Sequence, residues 1–110
     1  MERLTVGAIV LINFPFADLK GYKKRPALVV ALSSLGTVVL CQITSRKLPK
    51  VPAVAITKND FSSGGLPITS YARTDKLFTV DSGTAGKNVL GQLNNGKISV
   101  IKAQIRQLFT

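Results

Sequence analysis

Short apolar segments rich in β-branched residues recur along this chain, and each is bounded by glycine, proline or small polar residues. Segments of this length and composition are typical of strands, and the residues between them are typical of turns. The predicted strands are residues 6–14, 26–32, 37–44, 53–57 and 70–80, and the predicted loops and turns are 15–25, 33–36, 45–52, 60–65 and 83–91. This pattern predicts a mainly β fold in which one strongly bent sheet closes into a small barrel.

The C-terminal segment has a different period. Residues 99–109 contain neither glycine nor proline and place Val100, Ile101, Ile105 and Leu108 at helical spacing. They predict an amphipathic C-terminal helix. At 110 residues the chain has the length of one domain, which we expect to span residues 1–110. Since a chain of this size buries only about two thirds of its unfolded surface, a homodimer interface would add to its small core.

The charge is strongly unbalanced. Fifteen Lys and Arg residues against five Asp and Glu residues give a net charge of +10 at pH 7. Such a chain is drawn to polyanions, which are nucleic acids, acidic proteins or anionic membrane surfaces. No apolar run approaches the ~20 residues of a membrane span, and the N-terminus lacks the pattern of a signal peptide. With a single cysteine, which suits a reducing compartment, we expect a cytoplasmic protein with no membrane partner.

Several classes of site are disfavoured by composition. The chain has no histidine, which is the usual zinc ligand and the usual general base. Its five carboxylates are scattered and do not resemble a two-metal cage. The glycine-rich loops that bind phosphates of nucleotides are also absent from the sequence. We therefore expect neither a metal ion nor a cofactor.

The densest cluster of cations lies beside a predicted strand. Lys23, Lys24 and Arg25 directly precede the segment that begins at residue 26. If this strand pairs antiparallel with residues 37–44 through the intervening turn, Arg25 meets Thr44 and Ser45, because both lie at nearly equal distances from that turn. A guanidinium and hydroxyl groups suit a phosphate. The alternative is that Arg25 is a solvated loop cation and that the hydroxyls only begin a turn.

Other side chains near this point are candidates for binding a nucleic acid. Cations attract the phosphate backbone without regard to sequence, and an exposed aromatic ring stacks on an unpaired base. These candidates are Phe16, Lys20, Tyr22, Lys23, Lys24, Arg46, Lys47, Ser70, Arg73 and Lys76. Arg73 with Asp75 equally fits a structural or interface ion pair.

An ordered set of short blocks resembles a known family. The blocks are GAIVL at 7–11, NFPF at 13–16, KRPALVV at 24–30, CQITS at 41–45, GL at 65–66, SYARTDKL at 70–77 and GQL at 91–93. Together they resemble the MazF/PemK/Kid toxins of toxin–antitoxin systems. Ala8 departs from the pattern, since the family commonly has an acidic residue there.

The resemblance implies a small SH3-like barrel with a C-terminal helix, usually as a homodimer. It implies a metal-independent endoribonuclease that cuts single-stranded RNA, often mRNA, at short motifs, and a cognate antitoxin whose acidic segment occupies the RNA groove. The family's catalytic arginine and threonine carry over to Arg25 and Thr44, and we expect Ser45 to assist. With an RNA substrate, the candidates for binding a nucleic acid become the predicted RNA-binding residues. Two alternatives stay open. One is a non-catalytic toxin resembling the gyrase inhibitor CcdB, and the other is a binding module that retains the barrel without cleavage.

Overall fold

The structure is a computed structural model that describes residues 4–15 and 22–110. The described residues form seven strands, two α-helices and a short 3-10 turn at Lys58–Asp60. The strands are β1 (Ala8–Pro15), β2 (Tyr22–Leu32), β3 (Thr37–Thr44), β4 (Ala53–Ile56), β5 (Phe61–Gly64), β6 (Ser70–Asp81) and β7 (Val89–Leu93). The helices are α1 (Ser82–Ala85) and α2 (Asn95–Gln107).

The strands form one antiparallel sheet in the order β4-β6-β3-β2-β1-β7-β5. The long β6 pairs with β3 along most of its length and with β4 near its start. Irregular pairings in four of the six ladders bend the sheet. The predicted mainly β fold with a C-terminal helix is confirmed.

The core has two layers, one on each face of the central strands. Successive side chains of a strand point to opposite faces, and β1 to β3 carry apolar residues at both sets of positions. One layer packs under α2 and contains Ile9, Leu28, Cys41, Ile43, Val54, Ile56, Ala72, Leu93 and Ile101. The other packs under α1 and contains Ala8, Val10, Ile12, Ala27, Val29, Val38, Leu40 and Ala85. Coverage on both faces explains the unbroken apolar runs of these strands.

Gly7 joins the N-terminal segment to two strands. Its N–H donates to the Val29 carbonyl at 2.8 Å, and its carbonyl accepts from the Leu93 N–H at 2.9 Å. Its φ is +101°, a conformation that favours glycine. A Cβ added there would collide with the Ile98 side chain of α2. A side-chain-free residue is therefore needed at this crossing of β2, β7 and α2.

The predicted loop at residues 15–25 was wrong at both ends. β1 continues to Pro15, and β2 begins at Tyr22 and not at Pro26. Arg25 therefore lies inside a strand, opposite Ile12 of β1. Pro26 is tolerated because β3 pairs with β2 only from Ala27 onward, which leaves one side of Pro26 without a ladder.

Two other predicted loops contain regular structure. The predicted turn at 60–65 includes β5, and the predicted loop at 83–91 includes the end of α1 and the start of β7. Glycine was misleading here because Gly91 is buried inside β7, where a Cβ would lie 2.8 Å from the Ser63 carbonyl oxygen. The predicted helix at 99–109 begins earlier, at Asn95. The Asn94 side chain caps it by accepting from the Lys97 N–H at 2.8 Å.

Neither helix of the described residues is long and apolar enough to cross a membrane.

Candidate functional site

Arg25 and Thr44 lie at the same end of the β2–β3 pair. The ladder pairs Leu28 with Cys41 and ends with Ala27 opposite Gln42. Arg25 and Thr44 each lie two residues further along, so the same register, continued, sets them opposite each other. Both are half-buried. The equal spacing about the turn, which predicted this meeting, corresponds to the observed register.

The Thr44 hydroxyl oxygen already accepts one hydrogen bond from the backbone. Its oxygen accepts a hydrogen bond from the Arg46 N–H at 3.2 Å, because the chain turns directly after β3. The hydroxyl hydrogen remains available for donation, and a phosphate oxygen is an acceptor. Ser45, Arg46 and Lys47 follow in this turn and are exposed. The turn thus groups hydroxyls and cations at the end of β3.

Two rows of cross-strand partners extend this site over β6 to β4. One row is Thr44, Tyr71 and Ala55, and the other is Gln42, Arg73 and Ala53. The alternate residues Ile43, Val54 and Ala72 point into the core. Since directly opposed residues share a side of the sheet, the two rows lie on its other side. We call this surface the open face, formed by Gln42, Thr44, Ala53, Ala55, Tyr71 and Arg73.

Arg73 and Asp75 form a bidentate ion pair at one side of the open face. Arg73 Nε donates to Asp75 Oδ1 at 3.0 Å, and Nη2 donates to Oδ2 at 2.6 Å. The side chains are 14% and 30% exposed. The hydrogen bonds from Arg73 hold the pKa of Asp75 below its usual range, and the same bonds raise the pKa of Arg73. Both groups are therefore charged at neutral pH.

A bulge in β6 presents this ion pair. Cys41 pairs with Leu77 and Gln42 pairs with Arg73, so residues 74–76 have no partners on β3. The buried Cys41 thiol donates to the Arg73 carbonyl at 2.9 Å, which holds the start of the bulge. Burial, together with the nearby Asp75 charge, raises the pKa of this thiol to about 12. Cys41 is therefore a neutral hydrogen-bond donor at physiological pH.

The bulge also carries Thr74, whose side chain is fully buried. Its hydroxyl makes no hydrogen bond within the described structure. An unpaired buried hydroxyl costs free energy, so Thr74 lowers the stability of the fold at the bulge beside the open face.

The other predicted RNA-binding residues have different locations. Lys24 is exposed on β2, Arg46 and Lys47 are exposed after β3, and Lys76 is exposed in the bulge. Ser70 is not on the open face: its side chain is buried, and its hydroxyl donates to the Ile68 carbonyl at 3.1 Å. The backbones of Tyr22 and Lys23 begin β2. Phe16 and Lys20 lie outside the described residues.

Sequence reasoning missed Gln42, Tyr71 and Asp75 as parts of one site. The alternation of residues 70–75 marks Tyr71, Arg73 and Asp75 as members of one strand face. Which face meets Thr44 depends on pairing registers that one sequence does not display. Within the described residues, no group of three or more His, Cys, Asp or Glu side chains lies close enough to hold a metal ion.

Among the described residues, the site is a surface of exposed and half-buried side chains. A cavity of about 650 Å³ lies at the other end of the β2–β3 pair, against Leu4, Leu32, Thr37, Ser82 and Lys87. None of the predicted site residues belongs to its described lining. A chain polymer needs a surface along which to lie, and the open face provides one.

Solved structures with a similar fold belong to toxins and their complexes. An endoribonuclease in complex with its cognate antitoxin, from a mycobacterial species, superposes with a TM-score of 0.72 at 20% identity, over 99% of this chain and 95% of that one. A MazE–MazF complex from Deinococcus radiodurans gives a TM-score of 0.73 at 18% identity, over 99% and 97%. The Mycobacterium tuberculosis toxin MazF-mt6 gives 0.69 at 20% identity, over 93% and 95%. These likenesses establish a shared fold.

Sequence comparison identifies the family directly. No curated protein sequence matches the chain significantly. The family model for PemK-like, MazF-like toxins of type II toxin–antitoxin systems, however, matches residues 5–109. That match covers the β-sheet, α2 and every predicted site residue. The chain therefore belongs to the PemK-like, MazF-like toxin family of type II toxin–antitoxin systems.

Proposed function

We propose that this chain is a metal-independent, sequence-specific endoribonuclease that cleaves single-stranded RNA, including mRNA, and is neutralised by a cognate antitoxin. Membership of the toxin family supports this function. Similar solved structures include proteins named as endoribonucleases, one of them bound to its cognate antitoxin. The observation that carries the proposal is the β2–β3 register, which directs Arg25 and Thr44 to one end of the strand pair.

The reaction uses a nucleophile that RNA itself supplies. The 2′-oxygen forms a bond to phosphorus, the bond from phosphorus to the 5′-oxygen breaks, and the proton lost by the 2′-hydroxyl is balanced by one gained at the leaving 5′-oxygen. The products are a 2′,3′-cyclic phosphate and a 5′-hydroxyl. The protein must align these atoms and stabilise charge on the phosphorane oxygens. Fixed donors aimed at developing charge contribute on the order of 3–4 kcal/mol each.

Arg25 supplies such donors. Its guanidinium presents a planar fork that matches two phosphate oxygens, and its place inside β2, opposite Ile12, fixes the origin of the side chain. We assign it the stabilisation of the phosphorane and a part in proton transfer. Thr44 orients the scissile phosphate with its hydroxyl hydrogen, since its oxygen is held by the Arg46 N–H. Ser45 assists from the next position.

The surrounding cations hold the RNA backbone. Two guanidinium nitrogens of Arg73 are engaged by Asp75, which fixes the plane of the group and leaves further N–H donors for a phosphate. The loop and strand cations steer RNA to the open face; they are Lys20, Lys23, Lys24, Arg46, Lys47 and Lys76. An acidic antitoxin segment would compete for the same surface because it is attracted by the same charges.

We further propose that the chain is one cytoplasmic domain over residues 1–110 and acts as a homodimer. An mRNA substrate and the free thiol of Cys41 favour a reducing, cytoplasmic setting. A second copy would cover apolar surface that so small a core leaves exposed.

The decisive experiment is incubation of the purified protein with a defined single-stranded RNA in excess EDTA, with mapping of both cut ends. We expect 2′,3′-cyclic phosphate and 5′-hydroxyl ends from the wild type and losses of about 100-fold or more from Arg25→Ala and Thr44→Ala. Arg106→Ala on α2 and Thr79→Ala on β6 are matched controls, because both residues are exposed.

Wild-type rates in both site variants would overturn the assignment of Arg25 and Thr44. Intact RNA combined with growth arrest on expression would instead favour the CcdB-like alternative, in which the toxin acts by protein contact. RNA binding without cleavage or growth arrest would favour the binding-module alternative.

A further inference from the structure

Tyr71 lies at the centre of the open face. Its partner on β3 is Thr44, and its partner on β4 is Ala55. Opposed residues of an antiparallel pair have Cβ atoms about 4.5–5.5 Å apart on the same side of the sheet. The tyrosine side chain is therefore a direct neighbour of the hydroxyl that orients the scissile phosphate.

The strand on the other side of Tyr71 is an edge strand of small residues. β4 ends the sheet, and its two residues on the open face, Ala53 and Ala55, are exposed. Their methyl groups are too small to cover an aromatic ring. Tyr71 is half-buried, so the sheet supports its side chain while part of it stays in contact with solvent.

We propose that Tyr71 is a substrate-positioning residue, whose ring stacks on an unpaired base of a nucleotide adjoining the cleaved bond. This inference rests on the proposed ribonuclease function. Aromatic side chains on sheet surfaces stack on the splayed bases of single-stranded RNA. Since Tyr71 and Thr44 are neighbours across one strand pair, a phosphate at Thr44 and a base at Tyr71 belong to the same or adjacent nucleotides.

The rest of the open face gives this contact its importance. The cations around it, with Arg73 on the same face of β6, bind phosphates and carry no sequence information. A stacked aromatic ring, by contrast, contacts a base, and it accepts bases of different kinds. Of the six residues that define the open face, Tyr71 is the aromatic one. Its hydroxyl adds a hydrogen-bonding group at the edge of the ring.

The test is a cycle that varies the protein and the RNA together. Cleavage and binding would be measured for the wild type, Tyr71→Phe, Tyr71→Leu and Tyr71→Ala on a mapped substrate and on copies with an abasic nucleotide on either side of the cut. Tyr71→Leu keeps apolar bulk on β6 and covers the case in which the alanine variant fails to fold. Phe109→Ala, at the exposed C-terminus, is the control for loss of an aromatic residue.

We expect Tyr71→Leu and Tyr71→Ala to weaken RNA binding about 5- to 100-fold, the range of one base–aromatic stack, and Tyr71→Phe to stay within about threefold. One of the two abasic substrates should show the same loss with the wild type and no further loss with Tyr71→Leu. Because the chain has two tyrosines and no tryptophan, a Tyr22→Phe variant should show quenching of its single tyrosine by the intact RNA but not by that abasic copy.

Two results would overturn the proposal in distinguishable ways. If the wild type cuts RNA but the losses from Tyr71→Leu and from the abasic substrates add independently, stacking is wrong and the ribonuclease function stands. If the wild type neither binds nor cuts RNA, the proposed function fails and this inference fails with it.

Discussion

Asp75 holds the guanidinium of Arg73 by two parallel hydrogen bonds, Nε to Oδ1 at 3.0 Å and Nη2 to Oδ2 at 2.6 Å. Arg73 pairs with Gln42 of β3, whereas Asp75 lies in the bulge and has no partner on β3. We predict that Asp75→Asn lowers kcat/KM for RNA by about 10- to 100-fold, because a misdirected Arg73 displaces the substrate. Thermal stability should change by at most about 1 kcal/mol, since the pair is partly exposed.

The control for this variant is Asp81→Asn, at the end of β6 opposite Thr37 of β3. Equal kinetics for the wild type and Asp75→Asn would show that the ion pair is structural only. The same conclusion would follow if Asp75→Asn lowered the free energy of unfolding by more than the loss in kcat/KM corresponds to as a free energy.

Acid should release Arg73 in the wild type. The pKa of Asp75 is lowered in the folded state by its hydrogen bonds from Arg73. The contribution of this pair to stability is therefore present above the carboxyl group's unfolded pKa of about 4 and is lost as pH falls through its lower folded value. We expect RNA affinity to show an acid limb that is absent in Asp75→Asn, measured by fluorescence anisotropy across about pH 3–7. An identical acid limb in both proteins would contradict this role.

The Cys41 thiol should be unreactive in the native protein. Burial raises its pKa to about 12, and only the thiolate reacts with disulfide reagents. At about pH 8 we expect no release of chromophore from a thiol reagent until denaturant is added. Rapid reaction of the native protein with the thiol reagent would show that the thiol is accessible. Cys41→Ser is the control that should release no chromophore.

The same thiol makes stability depend on alkaline pH. Its folded pKa of about 12 exceeds the ordinary value of 9.0, so its stabilising effect is complete below pH 9.0 and declines as pH rises toward 12. The difference in denaturant midpoint between the wild type and Cys41→Ser should therefore shrink over this interval. A constant difference would place the thiol in contact with water.

Gly7→Ala should destabilise the fold through two separable effects. The φ of +101° costs an alanine on the order of 1–3 kcal/mol, and its Cβ would also collide with Ile98. Gly36 has a φ of +79° with open space around it, so Gly36→Ala should show only the first effect. Urea unfolding would measure both variants, and equal destabilisation would mean that the Ile98 contact costs nothing.

RNA binding should weaken steeply with salt. A chain of net charge +10 that holds single-stranded RNA by its phosphates releases counterions, and log Kd should rise linearly with log salt. Lys47→Ala should reduce this slope by about 0.7 and weaken different sequences alike. Lys87→Ala, beside the cavity at the other end of the β2–β3 pair, should leave the slope unchanged. A flat salt response in the wild type would contradict binding by the basic surface.

The parts of the structure that depend on local pattern could be predicted from the sequence. β3 spans residues 37–44 as predicted, because turn residues bound an alternating apolar run at both ends. The placement of Arg25 and Thr44 at the same end of the β2–β3 pair could also be anticipated, since a tight turn makes equal distances along two strands coincide. The family was recognisable from the order of its blocks and is confirmed.

What depends on pairing between distant segments could not be predicted. Tyr71 was not identified because its position beside Thr44 follows from the β3–β6 register, and a bulge of residues 74–76 shifts that register. Gly91 predicted a loop because glycine is common in turns. Here its small size allows β7 to approach β5, a requirement that only the packed structure reveals.

The two edges of the sheet, β4 and β5, are consecutive in the sequence, joined only by the turn at Lys58–Asp60. We call the boundary between these two edge strands the seam of the curled sheet, and the turn at Lys58–Asp60 crosses it. Lys97 of α2 contacts both sides of this seam: its ammonium group donates to the Ala55 carbonyl at 3.0 Å and lies 3.5 Å from the Asp60 carboxylate. The ammonium group of Lys97 thus connects the strand that borders Tyr71 to the C-terminal helix, and an insertion at this junction would disturb the open face and the helix together.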